Sequence, residues 1–178
     1  GNLRFVDPNS EAKVLISDGA FVRTAPAISG VTRIANDVGL NPIAVSTGIT
    51  ITGKNVEVRG TLESFGGNIS VSAVSQMQGM GNAVIANGAS IVAPGYNRPD
   101  PSSTPRGFSL NYLPVAGGNV ILSAFSDLSL ADGSHIDISG SGTAESRMRT
   151  ADGKVYNFQE AGDPGSLTLS FGKNLRDA

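Results

Sequence analysis

The sequence lacks several features that would point to common classes of function. It contains no cysteine, which excludes disulfide frameworks, thiolate catalysis and cysteine metal sites. Charged residues make up 16% of the chain, against roughly 25% in an ordinary soluble domain. The net charge is −2 without a cluster of Lys or Arg, so nucleic acid is not expected as a partner. No apolar run approaches the roughly 20 residues of a membrane helix, and no signal segment opens the chain.

Glycine and small polar residues take the place of charged residues. There are 23 glycines and 39% hydrophobic residues among the 178 residues, and Ser, Thr and Asn supply most of the solvated positions. This composition favours strands and turns over helices. The length is sufficient for one domain with a real core.

Similar segments recur once the chain is cut at its glycines. Segments that open with glycine and then mix branched apolar with small hydroxyl residues are 48–52, 67–73, 118–124 and 165–170. Alternation at period two predicts half-buried strands. Second strands are predicted at 55–58, 82–85 and 127–130, and third strands at 21–24, 61–64, 90–93 and 135–138.

A sharp corner is predicted between the second and third strands. Glycine there supplies the positive φ that such a corner needs, and a preceding Asp or Asn can hydrogen-bond the backbone of the corner. The predicted corner residues are Asp18, Gly19, Gly60, Asn87, Gly88, Asp132 and Gly133.

Three strands and their corners make one coil of roughly 20 residues, which cannot bury its own apolar face. Stacking coils about 4.8 Å apart would align the inward residues in columns. Residues 1–178 are therefore predicted to form one all-β segment, a right-handed parallel β-helix (β-solenoid) of about four coils with surface loop inserts. Both ends appear cut through a continuing solenoid, so we expect a piece of a longer protein. The Asp-Gly and Asn-Gly pairs also fit hairpins of an antiparallel sandwich or barrel, but their recurrence in one slot of a longer unit favours the β-helix.

Three inserts interrupt the repeat, at about 25–47, 95–117 and 141–164. The first is mildly polar and is interpreted as a degenerate coil or a short helix covering a side. The second contains four prolines, which cannot serve an interior ladder, so it is predicted to leave the solenoid as a surface loop. The third is polar and mixed in charge.

The second and third inserts hold all three tyrosines of the chain. Exposed aromatic rings offer a large contact area with a polar tip, so these loops are candidates for contact with carbohydrate or protein. The alternative is that the rings lie on the solenoid wall and fix the loops in place. The candidate contact residues are Tyr96, Phe108, Tyr112, Tyr156 and Phe158.

The runs 14–23, 54–62, 67–73 and 119–140 resemble the repeats of filamentous-haemagglutinin-like exoproteins. That resemblance implies a long right-handed β-helix, exported across a Gram-negative outer membrane by a partner transporter (two-partner secretion) and displayed at the cell surface as an adhesin or filament. It also implies a host or matrix receptor, either a glycan or a protein. The family's Asn-Pro-Asn secretion signature is not matched, because Asn41-Pro42-Ile43 departs from it. We therefore expect a segment of the shaft.

Catalysis is not expected, and no cofactor or metal is predicted. The single histidine, His135, lies in a predicted strand, and no Gly-x-Ser-x-Gly elbow accompanies it. Calcium-binding nonapeptide repeats are missing. A polysaccharide-degrading β-helix enzyme is the main alternative, with Asp127, Asp132 and Asp137 as its candidate carboxylates, but neighbouring coils place no carboxylate cluster beside them.

A third hypothesis is a structural subunit of an extracellular fibre. Its open strand edges at the solenoid ends would self-associate with further copies.

Overall fold

The computed structural model describes residues 2–6, 13–24, 47–75, 80–99, 108–109, 112–149 and 152–177. Within these residues every regular element is a strand, so the all-β prediction is confirmed. The predicted insert at 25–47 lies outside the described residues except for Thr47. The strands are β1 (Asn2–Val6), β2 (Lys13–Ile16), β3 (Phe21–Thr24), β4 (Gly48–Gly53), β5 (Asn55–Val58), β6 (Thr61–Ser64), β7 (Asn68–Ala73), β8 (Ala83–Ile85), β9 (Ser90–Val92), β10 (Asn97–Pro99), β11 (Phe108–Ser109), β12 (Tyr112–Pro114), β13 (Asn119–Ala124), β14 (Asp127–Leu130), β15 (His135–Asp137), β16 (Ala144–Arg149), β17 (Val155–Glu160), β18 (Ser166–Phe171) and β19 (Asn174–Asp177).

Most strands belong to three parallel sheets. Sheet A has the order β1-β4-β7-β13-β18, sheet B the order β19-β14-β8-β5-β2, and sheet C the order β15-β9-β6-β3. The chain visits A, B and C in turn and then returns to A, so neighbours in a sheet come from successive passes and run parallel. The architecture is solenoid-like, and an antiparallel sandwich or barrel is excluded for these strands.

Equivalent residues of successive passes stack in register and form the core. Ile49 pairs with Ile69, and Ile69 pairs with Val120. All three side chains are fully buried, as are their counterparts Ile51, Val71 and Leu122 two residues further on. Residues between these positions are half-buried or exposed, because successive side chains of a strand point to opposite faces. Each fully buried aliphatic side chain contributes roughly 1.5–3 kcal/mol, so the columns are the main source of stability.

Strand-opening glycines form a column of their own. A Cβ atom on Gly118 would overlap the carbonyl oxygen of Gly67, and one on Gly165 would overlap the carbonyl oxygen of Gly118. The backbones therefore approach too closely for any side chain. Gly48, which the sequence repeat grouped with these glycines, pairs instead with Asn68 and lies one position away from the column.

The corner between sheets B and C is a tight turn in three of the passes. Gly19, Gly88 and Gly133 adopt φ values of 70°, 74° and 73°, the left-handed region that favours glycine. In each turn the amide of the residue after glycine donates to the carbonyl three residues earlier, at 3.0 Å. The Asp-Gly and Asn-Gly pairs thus close the same β-turn each time.

Gly60 is at the same corner for a different reason. The pass from β5 to β6 is shorter there, and Thr61 N donates directly to the carbonyl of Ala20 in the turn of the previous pass, at 2.8 Å. A Cβ atom on Gly60 would overlap that carbonyl. The glycine is needed for space, not for a positive φ.

All three inserts fall at one corner, the connection from sheet C to sheet A. By contrast, residues 65–67 alone join β6 to β7. The second and third inserts return to the point from which they left, because Gly118 N donates to Ala93 O at 2.6 Å and Gly165 N donates to Ile138 O at 2.7 Å. These two inserts therefore do not interrupt the stacking of the parallel sheets.

The second and third inserts contain antiparallel strands, which corrects the expectation of surface loops. β10 pairs with β12 in a two-stranded ladder, and β11, β16 and β17 form a three-stranded sheet. We call the sheet of β11, β16 and β17 the side sheet. β11 comes from the second insert and its neighbours from the third, so two segments that are distant in sequence build one structure.

Candidate binding surface

The side sheet brings together three of the five candidate contact residues. Phe108 pairs with Met148, and Met148 pairs with Tyr156, so the three occupy one row across the sheet. Phe158 follows Tyr156 by two positions in β17. Phe108, Tyr156 and Phe158 thus belong to one sheet. No sequence pattern indicates this grouping, because it depends on a long-range strand pairing.

β17 is exposed at residues 155–157 and 159–160. The exposed fractions of Val155 and Tyr156 are 49% and 45%, and Asn157 and Gln159 are exposed as well. A half-exposed tyrosine offers both its ring and its hydroxyl to a ligand. The side sheet is therefore accessible at the strand that carries Tyr156.

The other two candidates lie on the β10–β12 ladder. Tyr112 pairs with Pro99 in the register of the ladder. Tyr96 precedes β10, and its carbonyl accepts from Val115 N at 2.9 Å. Its ring atom Cε1 lies 3.2 Å from the position that a Cβ atom on Gly66 would occupy. The half-buried Tyr96 ring therefore lies against the short connection between β6 and β7. This position agrees with the alternative interpretation, in which the aromatic rings fix the inserts in place.

Hydrogen bonds close the base of the third insert and join it to the base of the second insert. The hydroxyl of Ser141, which is 5% exposed, accepts from Gly162 N at 2.8 Å. Gly117 N, at the base of the second insert, donates to Asp163 O at 2.9 Å. The two inserts are thus fixed to each other where they leave the sheets, which positions the side sheet.

Some charged residues of sheets B and C are paired with each other. Glu57 accepts from Lys13 Nζ and from Arg59 Nε, both at 2.5 Å. The hydrogen bond from Lys13, followed by the one from Arg59, lowers the pKa of Glu57 below its ordinary value. Arg23 pairs with Glu63, and its guanidinium lies 5.3 Å from the ring centre of Phe65. The Lys13–Glu57 and Arg23–Glu63 pairs join neighbouring strands of sheets B and C.

Residues considered for catalysis do not converge. Asp127 follows the corner from sheet A to sheet B, Asp132 lies in the turn from B to C, and Asp137 ends β15. The carboxylate of Asp137 accepts from Ser139 N at 2.9 Å, and this bond lowers the pKa of Asp137. His135, on the same strand, is exposed.

Metal ligands and membrane spans were also sought in the structure. No group of three or more His, Asp or Glu residues in the described ranges is placed to hold a metal ion. Nor does that part of the chain contain a helix of the length and apolarity that crossing a membrane requires.

Known proteins give no direct assignment. No family model matches this chain, and no curated protein and no solved structure matches it either. Function is therefore argued from the geometry alone.

Proposed function

We propose that this chain is a shaft segment of a secreted, cell-surface adhesin of the filamentous-haemagglutinin type, in which the parallel sheets form the rod and the side sheet contacts a ligand. The observation that carries the proposal is the division of the chain into a stacked, charge-poor body and one accessible aromatic sheet attached at a single corner. A non-catalytic role agrees with the scattered positions of His135 and the aspartates.

The rod in this proposal is a right-handed parallel β-helix of about four coils, with β18 and β19 opening a fifth. The repeated visiting order of sheets A, B and C supports it. The right-handed winding follows from the strong preference of crossover connections between parallel strands for the right-handed path. The parent protein would cross the outer membrane through a partner transporter, and the absence of cysteine suits export of an unfolded chain.

The ligand in this proposal is a glycan or a matrix protein. Aromatic faces stack on apolar faces of sugars and on protein side chains alike, and tyrosine adds a hydrogen-bonding hydroxyl. Tyr156, at 45% exposure, is the side-sheet residue best placed for this contact.

The test is a glycan and matrix-protein array probed with the chain, with deletions of residues 96–116 and 142–164, and with Tyr156→Ser. We expect Tyr156→Ser to lose binding while its Tm is unchanged. Phe125→Ser is the matched control, because Phe125 is 47% exposed but lies beside sheets A and B, and it should bind normally. Equal binding by all of these variants, or no binding by any, would contradict a contact role for the side sheet.

A structural subunit of an extracellular fibre is the second candidate, favoured by the edges of sheet A. The apolar columns continue into β1 and β18, where Leu3, Phe5, Leu167 and Phe171 are between 38% and 41% exposed. Open parallel edges with exposed apolar residues are templates for stacking. Electron microscopy separates the two candidates, since long fibres support the subunit and discrete rods support the adhesin.

A further inference from the structure

β17 is an edge strand of the side sheet as far as the described residues show it. In the described part of the chain β16 is its hydrogen-bonded neighbour in the side sheet, and β17 is the last strand on that side. Edge strands normally carry proline, bulges or inward-pointing charges, or are short, and these features prevent pairing with another chain. Residues 155–160 form six paired positions without proline or glycine, and Glu160 is their single charged residue. Such a strand is a template for pairing with another strand.

The sequence around β17 is self-complementary in one antiparallel register. Two copies of a strand related by a two-fold axis perpendicular to the sheet must place same-face residues opposite each other. With the axis at Asn157, the register sets Lys154 opposite Glu160, Val155 opposite Gln159 and Tyr156 opposite Phe158. Opposite charges and aromatic pairs are the cross-strand pairs that stabilise antiparallel sheets.

Neighbouring registers place the charged side chains less favourably. An axis at Tyr156 would set Lys154 opposite Phe158, and an axis at Phe158 would set Glu160 opposite Tyr156, so the charges would lose their opposite partners. Lys154 already contacts Asp152 at 3.2 Å, but these side chains are 69% and 57% exposed. Exposed pairs of this kind are weak, so the contact with Asp152 opposes a pairing of Lys154 with Glu160 only weakly.

We propose that β17 pairs with β17 of a second copy of this chain, antiparallel and centred on Asn157. The contact is isologous and closes as a dimer. It joins two side sheets into one six-stranded sheet and involves no strand of sheets A, B or C. The tests below measure association of two copies and not ligand binding, so its failure and the failure of the proposed adhesin role are distinguishable.

The absence of cysteine allows a direct test by cross-linking. In Asn157→Cys the new thiol faces its own copy across the axis, where opposite Cα atoms of antiparallel strands lie about 4.5–5.5 Å apart, within disulfide range. Asn87→Cys is the matched control, an exposed asparagine in the corner turn. We expect Asn157→Cys to form disulfide dimers at least about tenfold faster, because pairing raises the effective thiol concentration to the millimolar range. Equal rates would overturn the proposal.

A charge swap tests the register. Lys154→Glu sets two carboxylates opposite each other twice in the dimer, and sedimentation equilibrium should show about tenfold weaker association. The double variant Lys154→Glu with Glu160→Lys restores opposite pairs and should associate like the original chain. Lys173→Glu, an exposed lysine outside the side sheet, makes the same charge change and should have no effect. A chain that stays monomeric at millimolar concentration, or one whose dimer is weakened equally by Lys154→Glu and Lys173→Glu, would contradict the pairing.

Discussion

The three parallel sheets and the side sheet bury their residues in different ways. In the parallel sheets each central strand has neighbours on both sides, and the inward columns of sheet A, such as Val71 and Leu122, are fully buried. In the side sheet β17 has Val155 and Tyr156 exposed by nearly half. The parallel sheets therefore carry the stability of the chain, and the side sheet is available for contacts with other molecules.

The two connections of sheet C, one from sheet B and one to sheet A, differ in a similar way: the first is tightly packed and the second carries exposed inserts. The corner from B to C is closed by two-residue turns or by Gly60, with neighbouring passes in contact. At the corner from C to A the second and third inserts each return to the point from which they left. That corner carries the candidate surface.

The largest expected effect is the loss of a core column residue. Leu122→Ala removes a fully buried side chain between Val71 and Leu169 and should lower the free energy of unfolding by about 3 kcal/mol, because the rigid columns cannot collapse around the cavity. Ile121→Ala, one residue away but 41% exposed, should cost less than about 0.5 kcal/mol. Denaturant unfolding followed by circular dichroism measures both. Similar losses of unfolding free energy for Leu122→Ala and Ile121→Ala would contradict the distinction between inward column residues and exposed residues.

A glycine of the stacked column comes next. Gly118→Ala places a Cβ atom on the carbonyl of Gly67, and separating the two backbones should cost about 2 kcal/mol. Gly142, at the start of the third insert, has open space around its Cβ position, so Gly142→Ala should be neutral within about 0.5 kcal/mol. Thermal unfolding of the two variants tests whether close stacking is confined to the parallel sheets.

A smaller effect is expected from the amide ladder beside sheet B. Asn82 Oδ1 accepts from Asp127 N at 3.1 Å, and Asn82 N donates to Asn55 Oδ1 at 3.0 Å. Asn82→Ala leaves a half-buried backbone amide without that acceptor and should cost about 1 kcal/mol. Asn97→Ala, an exposed asparagine of β10, is the control and should leave the unfolding midpoint in place. A larger shift for Asn97→Ala would mean that the insert strands contribute to stability.

The smallest expected effect concerns Glu57. Its pKa is lowered in the folded chain by Lys13 and Arg59, so its stabilisation is present above the unfolded pKa of 4.5 and is lost as the pH falls through the folded pKa. Because Lys13 and Arg59 are 55% and 43% exposed, we expect Glu57→Gln to cost only about 0.5 kcal/mol at pH 7. Unfolding at pH 7 and pH 3 checks this, since the two chains should become equal at pH 3. A difference that persists at pH 3 would point to a packing role for Glu57.

The order of strands followed from the sequence because each pass repeats a local signal. Alternation in segments such as 67–73 and the glycine of turns such as Asn87-Gly88 are local properties, and both occur where the structure has β7 and a turn. The alignment of Gly48 with Gly67 was wrong by one position, because register depends on which inward residues stack and not on where glycines occur.

What the sequence determined by itself was an all-β, parallel, repeating fold, since period-two alternation and recurrent corners leave few other ways to bury the apolar residues. Only the tertiary structure decided that the second and third inserts contain antiparallel strands and that Phe108 joins Met148 and Tyr156 in one sheet. That pairing joins residues about 40 positions apart through backbone hydrogen bonds, which carry no side-chain signature that a sequence can show.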